Sequence, residues 1–401
     1  MRWILRLGYL TLPLAFVSHF FAGRIDATQS IEPLLTFLLS GISVVPLAQL
    51  MGEATEQLAE RTGPTVGGLL NATFGNAAEL IIGIIAMCKG LDDVVKASLT
   101  GSILGNLLLV AGAAMVVGGA KRERQVFSRA GAQTSIALLV VAVAGMFFPA
   151  IFHFTLTVYS SDVKLAEHEA AISVGSSAVL IAVYVLGLFF TLKTHRHIFS
   201  TAPSESADDP ATGITAHGRW TLKKSLWTLI IASILTALMA ELLVGSVEKA
   251  AVALHWNRLF VGVIILALFG NAAEHSTAVM LAYRNDMDTA MTITYQSSLQ
   301  IALFATPFLV LLSAVLHASG ITHTRLDLIF SPMEVAAVLI TVAVVTVISL
   351  NGESNWFEGV LLLAVYAILG ITFFYIPVSH PAQYNHHPPT PSAEVIHDAS
   401  R

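Results

Sequence analysis

Apolar runs of about 20 residues recur along the whole chain, and short clusters of charged residues, Gly or Pro separate them. A run of that length crosses a hydrocarbon core ~30 Å thick as an α-helix. The pattern predicts helices near residues 5–23, 33–59, 65–88, 94–119, 129–151, 170–192, 222–245, 258–283, 288–317, 331–349 and 356–377. Arg2 and Arg6 ahead of the first run would also suit a cleaved signal. Ala22-Gly23 is a poor cleavage site, however, which favours a first membrane helix.

The pattern also contains itself. Phe74-Gly75-Asn76-Ala77-Ala78-Glu79 returns as Phe269-Gly270-Asn271-Ala272-Ala273-Glu274, and both copies lie inside apolar runs. The same offset of 195 residues pairs Glu53 with Glu248, Val66-Gly67 with Val261-Gly262, Asp93 with Asp288 and Ser102 with Ser297. The eleven helices therefore group as one plus five plus five. An odd number of spans forces the second copy into the membrane upside down, the arrangement of alternating-access transporters with a midplane site at the repeat interface. The expected organisation is an N-terminal helix in 1–30, a first five-helix repeat in 31–196, a linker at 197–218, a second repeat in 219–379 and a disordered tail at 380–401.

Composition agrees with an all-α polytopic membrane protein. Of the 401 residues, 55% are hydrophobic and 12% charged, with mean hydropathy +0.74, against about 25% charged in soluble domains. The net charge of −5 says little, because most charge lies in loops and tail. Lys121-Arg122-Glu123-Arg124, Lys193, Arg196, Lys223-Lys224 and Arg284 fall on one side with Arg2 and Arg6. The positive-inside rule then puts the N-terminus in the cytoplasm and, after eleven crossings, the C-terminus outside. A prokaryotic cell (inner) membrane is the expected location. Cys88 is the single cysteine, so neither a disulfide nor a thiolate metal site is supported. The bilayer is the expected partner, with no nucleic acid and no resident cofactor.

Chemistry concentrates in the repeated motif. A carboxylate at membrane depth costs roughly 2.5 to 3.5 kcal/mol on insertion scales and marks a functional site by default. Asn and Glu three apart share one helical face, so Asn76 stands beside Glu79 and Asn271 beside Glu274. Gly75 and Gly270 allow close backbone approach. Brought together across the pseudo-twofold, these side chains make an oxygen-rich site of the kind calcium prefers, with 6 to 8 oxygens from carboxylates, amides and water. The following helices add Ser98, Ser102 and Asn106 in one half and Gln296, Ser297, Ser298 and Gln300 in the other. Tight packing explains the serines equally well. Two glutamates ~5 Å apart repel by roughly 3 kcal/mol at an effective dielectric of about 20. Burial adds to that, so without metal at least one carboxylate is expected to hold a proton, and protons and calcium would then compete for the same oxygens in a way that couples their movements. The alternative is structural glutamates, each satisfied across a helix interface.

Glu53, Glu56, Glu241 and Glu248 are further candidates for proton relay or for gating the two entrances, with interfacial solvation as the alternative. His275 follows Glu274 where the first repeat has Leu80. It is a candidate to tune the carboxylate or supply a proton, and a packed imidazole is the other reading.

Gly-Asn-Ala-Ala-Glu-Leu at 75–80 and Gly-Asn-Ala-Ala-Glu-His at 270–275 resemble the paired signatures of calcium/proton antiporters of the cation/proton exchanger type, within the calcium/cation antiporter superfamily. The resemblance extends to Glu53–Ala59, Arg61–Gly68, Lys193–His195, Ser297–Leu303 and Ser354–Gly359. It implies one helix plus two inverted five-helix repeats and exchange of cytosolic calcium for protons. It further implies that Glu79 and Glu274 are essential and that Asn76, Asn271 and Gln300 line the site. Eukaryotic relatives carry a strongly acidic helix between the halves; here only Glu205, Asp208 and Asp209 stand there. A sodium/calcium exchanger would be expected to carry Gly-Thr-Ser-x-Pro-Glu-like repeats. A channel would need a symmetric ring or open filter. Manganese, cadmium, sodium and potassium can use the same oxygens.

Overall fold

A computed structural model describes residues 2–22, 32–62, 64–159, 165–195 and 220–377. The expected linker at 197–218 and tail at 380–401 lie outside the described residues. Among the described residues, nine helices are long and apolar enough to cross a membrane. Two shorter apolar stretches, Leu10–Phe20 and Ala77–Cys88, complete eleven crossings.

The first crossing is α1 (Arg2–Ala22). The first repeat holds α2 (Glu32–Thr62), a broken span made of α3 (Pro64–Phe74) and α4 (Ala77–Cys88), then α5 (Asp92–Gly119), α6 (Arg129–Tyr159) and α7 (Leu165–Thr194). The second repeat holds α8 (Leu222–Leu254), α9 (Arg258–Tyr283), α10 (Met287–Ala318), α11 (Pro332–Ser349) and α12 (Trp356–Phe374). The protein is a helical membrane protein of one helix plus two five-helix repeats. Because each repeat has five crossings, its two copies run in opposite senses. The C-terminal ends of α2, α5 and α9 share one face, called the near face; Cys88–Asp92 and Leu254–Arg258 mark the far face.

Helix ends in lipid must satisfy their free N–H groups internally. Ser331 with Glu334 and Asn355 with Glu358 do so as capping boxes at the starts of α11 and α12. Asn257 works in both directions. Its Oδ1 accepts from Phe260 N at 2.7 Å, while its Nδ2 donates to Phe373 O at 2.7 Å, tying the start of α9 to the end of α12. On the near face a short antiparallel pair, β1 (Gln125–Val126) with β2 (Glu353–Ser354), joins the two repeats.

Two bodies result. α8 packs along α2, and α1 also packs on α2. The other body centres on α5, which is buried along most of its length against α9, α10 and α12. Where α5 crosses α9 the backbones nearly touch. A β-carbon on Gly101 would overlap the Val263 backbone, and one on Gly262 would overlap Ala97. Only glycine fits at that crossing. Exposed Val179, Leu186, Ile231 and Ile234 face outward, as lipid-facing positions do.

Candidate functional site

A cavity of about 770 Å³ separates the two bodies on the near face. α2 forms one wall with Gln49, Gly52, Glu53, Glu56, Ala59 and Glu60. Gly67 and Asn71 line it from α3, where Gly67 packs on the Ala59 backbone of α2, and facing α2 stand Gly75 and Glu79 from the broken span and Gly270, Ala273, Glu274 and Thr277 from α9. Both motif glutamates therefore face one space, at its inner end.

The broken span positions the first of them. Gly75 N donates to Asn71 O at 2.7 Å and Leu80 N to Asn76 O at 3.1 Å, so the chain turns at Gly75-Asn76 before α4 begins. Asn76 stands at the start of α4 without capping it through its side chain. That leaves the amide free to reach across the pseudo-twofold. Its Nδ2 donates to Gln300 Oε1 at 2.6 Å. In the second repeat the helix continues through Gly270-Asn271, and Asn271 Nδ2 donates to Ser102 Oγ at 2.9 Å and to Ala267 O at 3.0 Å. Ser297 Oγ donates to Glu274 Oε2. Each asparagine is thus held by its nitrogen to a residue of the other repeat.

The amide oxygens have no such partner. Asn76 Oδ1 and Asn271 Oδ1 are both buried and accept no hydrogen bond among the described residues. A buried carbonyl left unpaired costs about 1–3 kcal/mol, so this matched pair is suited to accept a cation or a proton donor. The glycines make the space for it. A β-carbon on Gly270 would stand 3.2 Å from Glu79 Oε1, and one on Gly75 would stand 3.3 Å from Gln300 Oε1. Among the described residues no Lys or Arg forms an ion pair with Glu79 or Glu274. Neither do three His, Cys, Asp or Glu groups cluster there as a metal site. A bound cation would therefore take amide, hydroxyl and water oxygens beyond the two carboxylates, which suits calcium.

Wide π turns shape the helices behind the site. They span Gly105–Val110 in α5 and Ile301–Ala305 in α10, matching positions of the two repeats, with a third at Val261–Leu266 in α9. Such turns gather at functional sites because they redirect side chains locally. Here they follow Ser102 in one half and Ser297 and Gln300 in the other.

Gly75, Gly270, Glu53, Glu56, Glu79 and Glu274 line the cavity, and Asn76, Asn271, Ser102, Ser297 and Gln300 form the hydrogen-bonded layer behind it. Other polar groups expected there lie elsewhere. Ser98 and Asn106 do not line the cavity, Ser298 Oγ donates to Thr294 O at 2.9 Å, and Gln296 faces a separate crevice beside Ser135 and Leu299. His275 packs against Gly105, 3.8 Å from where a β-carbon would stand, and its Nε2 makes no hydrogen bond among the described residues. Glu241 and Glu248 are outside the cavity, ion-paired with Lys89 and Arg258. Gln49, Glu60 and Asn71 are wall residues that sequence reasoning missed. Glu53, Glu56 and Glu60 share helical spacing, so the period itself marks Glu60.

The sequence model of the sodium/calcium exchanger protein family matches residues 32–193 and 224–375, the two five-helix repeats. The chain belongs to this family. Within it, a Ca(2+)/H(+) antiporter of Synechocystis sp. is 41% identical over 373 residues, 91% of this chain and 95% of the relative. The vacuolar calcium ion transporter of Schizosaccharomyces pombe is 39% identical over 374 residues, 93% of this chain and 86% of the relative. The structure of native YfkE superposes with a TM-score of 0.74 at 35% identity, over 93% of this chain and all (100%) of that one. This family member is a secondary transporter and not an enzyme.

Proposed function

We propose that the protein exchanges calcium for protons by alternating access, with Glu79 and Glu274 as the shared site. The observation that carries this reading is the pair of glutamates at one cavity, each backed by an asparagine whose buried oxygen is unpaired. Calcium takes the carboxylates with the amide oxygens of Asn76 and Asn271. When calcium leaves, protons neutralise the carboxylates, so the site crosses the low-dielectric interior without net unpaired charge. Gln300, Ser102 and Ser297 orient the ligands from behind.

The near face carries Arg122, Arg284 and Lys224, the basic cluster that the positive-inside rule assigns to the cytoplasm. The open cavity therefore faces the cytoplasm and takes up cytosolic calcium. Glu53, Glu56 and Glu60 raise the local cation concentration at its mouth. The test is a reconstituted vesicle reporting calcium uptake and internal pH together. A proton gradient is expected to drive calcium uptake in wild-type protein, with manganese, cadmium, sodium and potassium offered in turn as competitors. Uptake driven by sodium and indifferent to the proton gradient would replace the reading with a sodium/calcium exchanger.

A further inference from the structure

The cavity parts the two bodies on the near face; on the far face charged pairs clasp the same bodies together. Lys89 ends α4, and its Nζ meets Glu241 Oε1 of α8 at 2.7 Å. Gly245, one turn further along α8, leaves room for it, since a β-carbon there would stand 3.2 Å from the ammonium. Arg258 begins α9, and its NH2 group meets Glu248 Oε1 of α8 at 2.8 Å while NH1 lies 3.9 Å from Asp93 Oδ2 on α5. α8 packs along α2, so under alternating access the two would swing together. Opening the far face by swinging that body away from α4 and α9 would separate both pairs.

In an inverted repeat the opposite-facing state is reached when each half takes the other's arrangement. Each far-face contact should then have a near-face counterpart 195 residues away. Here it does not. Lys89 matches another cation, Arg284, but the position matching its partner Glu241 is Pro46, and the position matching Arg258 is Gly63. Glu248 matches Glu53, which lines the open cavity and accepts from Gln49 Nε2 at 3.0 Å rather than from a cation. Neither pair has a symmetry-matched pair to form when the near face closes.

We infer that Lys89–Glu241 and Arg258–Glu248 form a one-sided charge latch that weights the resting transporter toward the state open on the near face. The inference rests on the alternating-access reading. Partly exposed pairs each change a conformational ratio by a factor of about two to five, and salt screens them. Losing both should shift the ratio about fivefold.

The full chain in lipid nanodiscs, with Cys88→Ser and spin labels at Ala59→Cys on α2 and Thr277→Cys on α9, reports the width of the cavity. Wild-type protein is expected to show a dominant long distance, with a shorter one gaining weight as calcium and pH are varied. A long distance alone under every condition would overturn alternating access itself. With both distances seen, Lys89→Gln combined with Arg258→Gln should raise the short-to-long ratio about fivefold. The charge swap Lys89→Glu with Glu241→Lys should keep the wild-type ratio. Raising salt should move wild-type protein toward the neutralised variant and leave that variant unmoved. A neutralised variant with the wild-type ratio, a swap that behaves like the neutralised variant, or a wild-type ratio indifferent to salt would overturn the latch.

Discussion

The residues Phe-Gly-Asn-Ala-Ala-Glu are folded in two ways within one molecule. In the first repeat Phe74 ends α3, Gly75-Asn76 makes a turn and Ala77 begins α4. In the second the same six run unbroken inside α9, and the departure from regular winding sits upstream at Val261–Leu266. Local propensity cannot separate two identical hexapeptides, so the partners must. Asn76 finds the long amide of Gln300 across the interface, whereas the first-repeat position matching Gln300 is Gly105. Asn271 therefore takes the short Ser102 and its own helix carbonyl Ala267 O, a bond that keeps it within the helix. An inward-reaching Gln on one side and a Gly on the other let two equal motifs hold two conformations, as a cavity open to only one face requires.

The largest effect should be the one that ignores the difference. Glu79→Gln and Glu274→Gln each keep size and one acceptor but lose the charge and the exchangeable proton. Both should abolish calcium-driven proton movement in vesicles while the proteins still fold and insert. Glu→Asp at either position should retain part of the activity. If one half tolerated the amide, the two glutamates would not act as a pair.

The glycines should sharpen the comparison. A β-carbon on Gly75 would lie 2.5 Å from Asn71 O, part of the turn's own backbone, whereas one on Gly270 meets only the end of Glu79 at 3.2 Å. Backbone cannot yield as a side chain can, so Gly75→Ala should cut transport by about tenfold or more and Gly270→Ala by only a few-fold. Equal losses measured as initial calcium uptake would mean that the break at Gly75 is not needed.

Next come the amides. Asn76→Ala and Asn271→Ala should each weaken calcium binding about fivefold to tenfold and leave residual exchange, since water can replace one neutral ligand among several. Complete inactivation with normal insertion would give the amides a role beyond ligation. The serines should do least. Ser297→Ala removes a hydrogen bond to Glu274 and should raise the KM for calcium by about threefold to tenfold with kcat nearly unchanged. Ser102→Ala should do less, because Asn271 Nδ2 keeps Ala267 O.

The helices were legible because length and apolarity suffice to name a membrane span, and the repeat was legible because its motif is nearly identical. The C-terminal end of α8 was not. It is expected near residue 245, yet the helix runs to Leu254, because Val247, Ala250 and Ala251 bury a further apolar face before His255 caps it in the left-handed conformation. The break at Gly75-Asn76 was not legible either. The same two residues are helical in the second copy, and the partner that decides, Gln300, lies 224 residues from Asn76. Convergence of Glu79 and Glu274 followed from inverted symmetry. Their segregation from Lys89 and Arg258 needed the packing of α8, which periodicity does not reveal.

Alternate occupation of one site by calcium and protons is tested most directly by adding calcium to purified protein in weakly buffered solution while a dye reports pH. Wild-type protein should release protons as calcium binds, in proportion to the sites filled. The double variant Glu79→Gln/Glu274→Gln should release none. Calcium binding without proton release in the wild-type protein, or full release from the double variant, would contradict it.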